Sequence, residues 1–444
     1  MTSRLIQNVT ASKNSQQQDL LSDGKSADEL LQETINLPAE DIEAIEEESI
    51  TDNQLYKGIT FSANLDAKLK NEVAIFYVVD EDGQYRVQAF NAVQRMLDTG
   101  SNQPPIVSFS QQMEGENSSE KLRDIPAVMR LYSQKRREAK QIIKWLVELQ
   151  KRLTYDQQEL SYVVINDKTD FEIPWEMLEW HKKSESDEKI HHYLGASFIT
   201  VRWQDIENLE CWDEDENLLN LEFEPEDCTG NIIAYTNTTD FQSVEQEIST
   251  LLQFNATYHK NPYDFLDELE KIKAGVSLVY IASHGFFHED IYETSIGEND
   301  IKKRVTLKRI NKYNLDCFKA CPSIVFMNAC HSGRLRKDSM MSQDYYRTGF
   351  ATFFLERGAR GVIGTLGKVI DQYAVKVSHN FFAECQRSPG ISVAAILRNI
   401  RKQIAEIYKE RKDDETERLF IITFMYVYYG NPMTVLRLPK TGGG

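Results

Sequence analysis

Residues 323–334, SIVFMNACHSGR, carry an apolar run to a cysteine and stop on Ser-Gly, and residues 276–285, VSLVYIASHG, carry a second such run to a histidine. Short, continuous apolar runs closed by glycine read as strands buried on both faces. Where such strands alternate with helix-forming segments, the expected fold is a mostly parallel sheet flanked by crossover helices. Functional groups in such sheets collect beyond the carboxyl ends of the strands, and both Cys330 and His284 fall there.

The pairing has a chemical reason. A thiol of ordinary pKa is largely protonated near neutrality, and an adjacent imidazole raises its thiolate fraction. The same imidazole can afterwards hand a proton to a leaving amine. Acyl transfer also needs donors aimed at a developing oxyanion. Gly285 offers a main-chain N–H with no side chain in the way, and the N–H of Cys330 is the natural second donor. Asn328, two residues before the cysteine, is expected to line the substrate pocket by its place in the motif. His284 and His288 do not read as a zinc pair, because their spacing follows a strand and not the helix on which it converges two imidazoles. No metal or cofactor is expected.

Outward from these strands the alternation continues. LSYVVIN (160–166), a strand at 198–203, NIIAYTN (231–237), GVIGTL (361–366) and the last strand, FIITFMYVYYG (420–430), alternate with helical segments such as those near 371–385 and 392–411. IPWEMLEW (173–180) reads as a helix opened by proline. Residues 286–305 read as a long polar loop. Upstream, EVAIFYVVDEDGQYRVQAF (72–90) predicts a hairpin turning at Asp82-Gly83. Residues 120–153, with Val128, Leu131, Ile142, Leu146, Leu149 and Leu153 at helical spacing, predict one long amphipathic helix. Residues 1–55 are polar and then strongly acidic, the composition of a solvated tail.

Composition narrows the partners. The 444 residues carry a formal net charge of −18 with 41% apolar residues, which supports a real core and argues against sequence-independent binding to nucleic acid or to an anionic membrane. No run is long enough to span a bilayer and the first residues lack a signal peptide's apolar core, so the expected location is cytoplasmic. Six cysteines in so long a chain do not make a disulfide framework.

ASHG (282–285) and FMNACHSG (326–333) resemble the two active-site motifs of caspase-hemoglobinase-fold peptidases, and more closely those of the CHAT family of bacterial type. GFATFFLERGARGVIGTL (349–366), IPWEML (173–178) and YVYYGNP (426–432) are similar to recurrent segments of that family. The resemblance spans roughly residues 155–438. It implies a caspase-like α/β fold, His284 as base and acid, Cys330 as nucleophile, and a thioester acyl-enzyme. The implied activity is that of a cysteine endopeptidase cutting a protein partner after activation by another protein, of the kind found among bacterial defence effectors. A non-catalytic caspase-like adaptor is the alternative. Residues 56–155 would then be a hairpin and long-helix region for regulation or partner binding, 156–438 the CHAT domain, and 439–444 a flexible end.

The motif departs from the caspase pattern Gln-Ala-Cys-x-Gly, having Asn328-Ala329-Cys330-His331-Ser332-Gly333, so a preference for aspartate is not carried over. GKVID (367–371) stands where many CHAT members have Trp-Pro and paired aspartates. Asp338, Asp344 and Asp371 are the acids near the strand-end loops that a substrate pocket could use.

Overall fold

The computed structural model describes residues 72–439, apart from 82–83, 92, 102–117, 184–188, 204–211, 214–217, 220–224, 242 and 338–346. The acidic stretch 1–55, the Asp82-Gly83 turn, Asp338, Asp344 and the last five residues lie outside the described residues.

In chain order the main strands are β1 (Val73–Glu81), β2 (Gln84–Phe90), β3 (Leu97–Ser101), β4 (Tyr162–Asp167), β5 (Glu179–Lys183), β6 (Lys189–Tyr193), β7 (Ile199–Arg202), β8 (Asn231–Thr236) and β9 (Thr257–His259). They continue with β10 (Val276–Phe286), β11 (Ser295–Gly297), β12 (Arg304–Thr306), β13 (Ile324–Ala329), β14 (Gly361–Thr365) and β15 (Tyr426–Gly430). One large sheet runs in the order β9-β8-β10-β13-β14-β15-β7-β4-β1-β2-β3. It is mainly parallel. β9, β8, β10, β13 and β14 form one parallel block, β15, β7, β4 and β1 form another, and the antiparallel pair β14–β15 joins the two. Helices α1 (Ser118–Lys135), α2 (Arg137–Tyr155), α3 (Val244–Leu252), α4 (Asp371–Arg387), α5 (Val393–Arg411) and α6 (Asp414–Met425) flank it.

The predicted hairpin is part of this sheet. β1 is apolar on both faces, with Val73, Ala74, Ile75, Phe76, Val78 and Val79 all buried, and it pairs parallel with β4 from Val73↔Tyr162 to Val78↔Asp167. α1 and α2 pack into the same core through Ile125, Met129, Ile142, Leu146 and Leu149.

Four local expectations are corrected. The long helix is two, because the chain takes one extended residue at Arg136, whose guanidinium closes on buried Glu138 at 2.8 Å. IPWEMLEW makes only a single turn at Trp175–Met177 before entering β5, since Trp175 is drawn into the core with its indole N–H on Asp167, 2.9 Å away. FIITFM is the end of α6 and not a strand. A capping box at Asp413 and Thr416 starts that helix, and burial of Phe420, Ile421, Ile422 and Phe424 outweighs the strand preference of its β-branched residues. Finally, the polar segment after β10 is folded. β11 pairs antiparallel with the end of β10, matching His284 with Gly297 and Gly285 with Ile296, and β12 pairs with β11.

Candidate active site

β10 and β13 are neighbours, in parallel register from Leu278↔Ile324 to Ser283↔Ala329, so His284 and Cys330 leave the sheet side by side. Gly285 fixes how closely the two chains approach. A Cβ on Gly285 would sit 1.8 Å from the carbonyl oxygen of Cys330, an overlap with main chain that no rotamer relieves. Any other residue after the histidine would push the Cys330 turn away.

That turn is held from several sides. His331 adopts φ +58°, a left-handed conformation that is costly for a residue with a side chain and that persists where its surroundings over-determine it. Its N–H donates to Gly367 O at 3.0 Å, and the Ser332 hydroxyl donates to Ala329 O at 2.8 Å while accepting from the N–H of Thr365 at 3.0 Å. Gly333 and Gly364 pack main chain to main chain, with a Cβ on Gly364 falling 2.7 Å from the nitrogen of Gly333. The GVIGT strand is therefore the wall against which the cysteine turn is built. Arg334, fully buried, pairs with Glu172 at 2.7 Å and stacks over Phe287 at 3.7 Å, tying together the segments that follow the cysteine and the histidine.

Around the sulfur, the N–H of Val369 lies 3.4 Å from Cys330 Sγ. The main-chain N–H groups of Gly285 and Cys330 also favour its thiolate, as does the charge of Lys368. Burial works against all of them and is the larger effect, so the free thiol sits above its ordinary pKa. The main-chain N–H groups of Gly285, Cys330 and Val369 thus all act on the Cys330 sulfur.

The imidazole of His284 is half-buried, 4.5 Å from the Phe241 ring by centroids. Its Nε2 lies 3.2 Å from the side-chain amide of Asn299 and 3.5 Å from Asp240 Oδ2. Asp240 is itself fixed, accepting from Asn237 Nδ2 and from the N–H of Asn299, both at 3.0 Å. Burial pulls the His284 pKa below its ordinary value and Arg304 adds to this, while Asp240 and Asp371 oppose it. Among the described residues Nδ1 of His284 has no hydrogen-bond partner, and no hydrogen bond joins the ring to Cys330. At neutral pH the resting arrangement is a neutral thiol beside a neutral imidazole.

Asn328 does not line the cleft. Its side chain points inward, donating to Glu247 and, at 3.2 Å, to the hydroxyl of Tyr280, and accepting from the hydroxyl of Tyr426. One residue along a strand reverses the facing direction, and Asn328 falls on the core side. His331 is buried with its pKa pushed down to about 3 by burial and by Arg334 and Lys368, so it is neither base nor imidazolium donor. His288 turns to the main chain of Asp290. Asp371 accepts from the N–H of Ser243 at 3.0 Å.

Asp240, Asn299 and Val369 were not singled out in the sequence. Asp240 closes NTTD just past the end of β8, beside β10, and the strand-end argument used for the histidine reaches it too. Asn299 lies beyond β11 and has no such signal.

Residues 229–420 match the sequence model of the CHAT domain. That match takes in under half of the 444 residues. The match covers β8 through the first half of α6, including both His284 and Cys330, and is narrower than the span over which the sequence resembles the family. No curated protein matches the sequence. Among solved structures the chain is similar to the Saccharomyces cerevisiae separase–securin complex, at 11% identity over 83% of this chain and 31% of that one, with a TM-score of 0.44. A second structure of that complex aligns at 10% identity over 82% and 30%, TM-score 0.43. The complex of Porphyromonas gingivalis RgpB pro- and mature domains aligns at 13% identity over 74% and 73%, TM-score 0.38. The chain spans under a third of the length of the separase chains. Among the described residues no helix is long and apolar enough to cross a membrane.

Proposed function

We propose that this protein is a cysteine endopeptidase in which Cys330 is the nucleophile and His284 the base and acid. The observation that carries this reading is the sulfur's setting: a cysteine and a histidine at register-matched strand ends, three main-chain N–H groups facing the sulfur, and a glycine that admits no side chain between them. His284, neutral at pH 7, accepts the thiol proton as the sulfur attacks a scissile carbonyl. The N–H groups of Gly285 and Cys330 stabilise the oxyanion. Collapse of the tetrahedral intermediate passes the proton from His284 to the leaving amine and leaves a thioester on Cys330, and water, deprotonated by the same imidazole, releases the acid.

The raised thiol pKa, and the absence of a hydrogen bond from the ring to the sulfur, support a resting enzyme that is largely unreactive until substrate or an activating protein brings the ring onto the thiol. The substrate in this reading is a protein chain, and the location cytoplasmic. The test is an electrophilic peptide probe applied to the full chain with Cys321, the other partly exposed thiol among the described residues, as internal reference. Labelling at Cys330 that exceeds Cys321 and is lost in His284→Ala, together with new N-termini in a peptide library that Cys330→Ala does not generate, is the expected result. Labelling of Cys330 no faster than of Cys321, with no new termini, would replace the peptidase by a caspase-like adaptor.

A further inference from the structure

On the flank formed by α1, β6 and α5, away from the cysteine and histidine, lies a cavity of about 990 Å³. Its lining carries five basic side chains, Arg130, Arg398, Lys402, Lys409 and Lys412, against two acidic ones, with Tyr408 and three histidines among the rest. That is a concentration of positive charge in a chain of net charge −18.

Part of it has an ordinary explanation. Lys409 and Lys412 sit at the C-terminal end of α5, where cations complement the helix dipole. Arg398 and Lys402 lie in the helix interior, and Arg130 comes from a different helix, so the dipole does not account for them. Arg130 is matched by Glu179 at 3.2 Å. Among the described residues, Arg398, Lys402, Lys409 and Lys412 have no carboxylate within ion-pair distance. Four cations on one concavity, with only the carboxylates of Glu159 and Glu406 in the lining against them, leave an excess of positive charge, and a bound multivalent anion offsets it.

We infer that this cavity is a binding site for a small molecule bearing several phosphate groups. A monoanion would leave part of that excess uncompensated. The two guanidiniums offer planar forks to phosphate oxygens, the lysines add point charges, and the volume accommodates a ligand of nucleotide size.

The test is calorimetric titration of the full chain with inorganic tripolyphosphate at moderate salt, with citrate as the carboxylate comparison. The expected result is one site per chain that prefers tripolyphosphate and weakens by about tenfold or more in the double variant Lys402→Glu/Lys409→Glu. Both lysines are exposed, so the fold should survive, and Lys402→Ala/Lys409→Ala provides the same reading with less perturbation. Reversal of Lys308 and Lys312, in a separate basic hollow, should leave the affinity unchanged. No binding of tripolyphosphate, equal binding of citrate, affinity unaltered by the Lys402/Lys409 variants, or equal loss on reversing Lys308 and Lys312 would each overturn the site. Because Cys330→Ala protein can be titrated in the same way, the outcome does not depend on peptidase activity.

Discussion

His284 owes its state to a contest between burial and one carboxylate. Burial and Arg304 lower its pKa, and Asp240, 3.5 Å from Nε2, is the first charge to oppose them. With Nε2 engaged by Asp240 and Asn299, Nδ1 is the ring nitrogen without a hydrogen-bond partner among the described residues, and in the proposed mechanism it is the one that serves the thiol. Replacing Asp240 by Asn removes the charge but keeps the shape. Since Asp240 raises the His284 pKa, its loss lowers it further, and the acid limb of the pH profile for Cys330 labelling should move to lower pH. The rate at pH 7 should fall about tenfold through lost orientation, a fraction of the roughly 100-fold or more that a general base contributes. A limb that stays in place while the rate falls would mean that Asp240 acts through packing alone. At this scale the sequence was most informative where geometry is local: His284, Gly285 and Cys330 belong to short motifs at strand ends. Asn328 was misjudged for an equally local reason, because its place in the motif does not say which face of the strand it takes.

Beneath the cysteine, helix and strands are joined by a buried carboxyl. Glu247 of α3 accepts from the hydroxyl of Tyr280 on β10 at 2.7 Å and from Asn328 on β13, with Ser378 of α4 at 3.4 Å, and Tyr426 of β15 closes the set through Asn328. Burial raises the Glu247 pKa to about 7, with Asp371 adding to it and the hydrogen bonds opposing it. The sign of the consequence follows from linkage. A carboxyl whose folded pKa lies above the ordinary 4.5 contributes its full stability below pH 4.5 and loses it as pH rises through about 7. Glu247→Gln, which mimics the protonated form, should therefore gain stability relative to wild type between about pH 4.5 and 7 and hold that gain above, by on the order of 3 kcal/mol. Chemical denaturation of both proteins across this range checks it, and a constant difference would show that Glu247 does not titrate there. Nothing in SVEQEISTLLQF marks this glutamate, since on a helix surface it reads as one more acidic residue. Only the packing of α3 on β10 and α4 makes it interior.

At the scale of the molecule, the parallel sheet and its crossover helices were legible because buried strands such as Val276–Phe286 and Ile324–Ala329 announce themselves as apolar runs. The reach of that sheet was not. The run VAIFYVV in β1 has the same texture, yet hairpin pairing with β2 is a local signal and parallel pairing with β4, across two helices, is not. The described residues belong to one compact unit, which bears on the expected boundary near residue 156. A chain beginning there would lose the strand that pairs with β4, leaving an exposed parallel edge. It would also uncover Leu160, Val163 and Ile165, and would take away Phe76 and Tyr132, whose rings meet the buried indole of Trp175 edge-on at 6.2 Å. Each of these side chains contributes roughly 1.5–3 kcal/mol when buried, which together rivals the whole stability of an ordinary domain. Expression of residues 156–438 should accordingly give aggregated protein without a cooperative thermal transition, while residues 72–438 should melt in one step. A soluble 156–438 fragment that melts cooperatively would restore the separate N-terminal domain and make β1 an accessory strand.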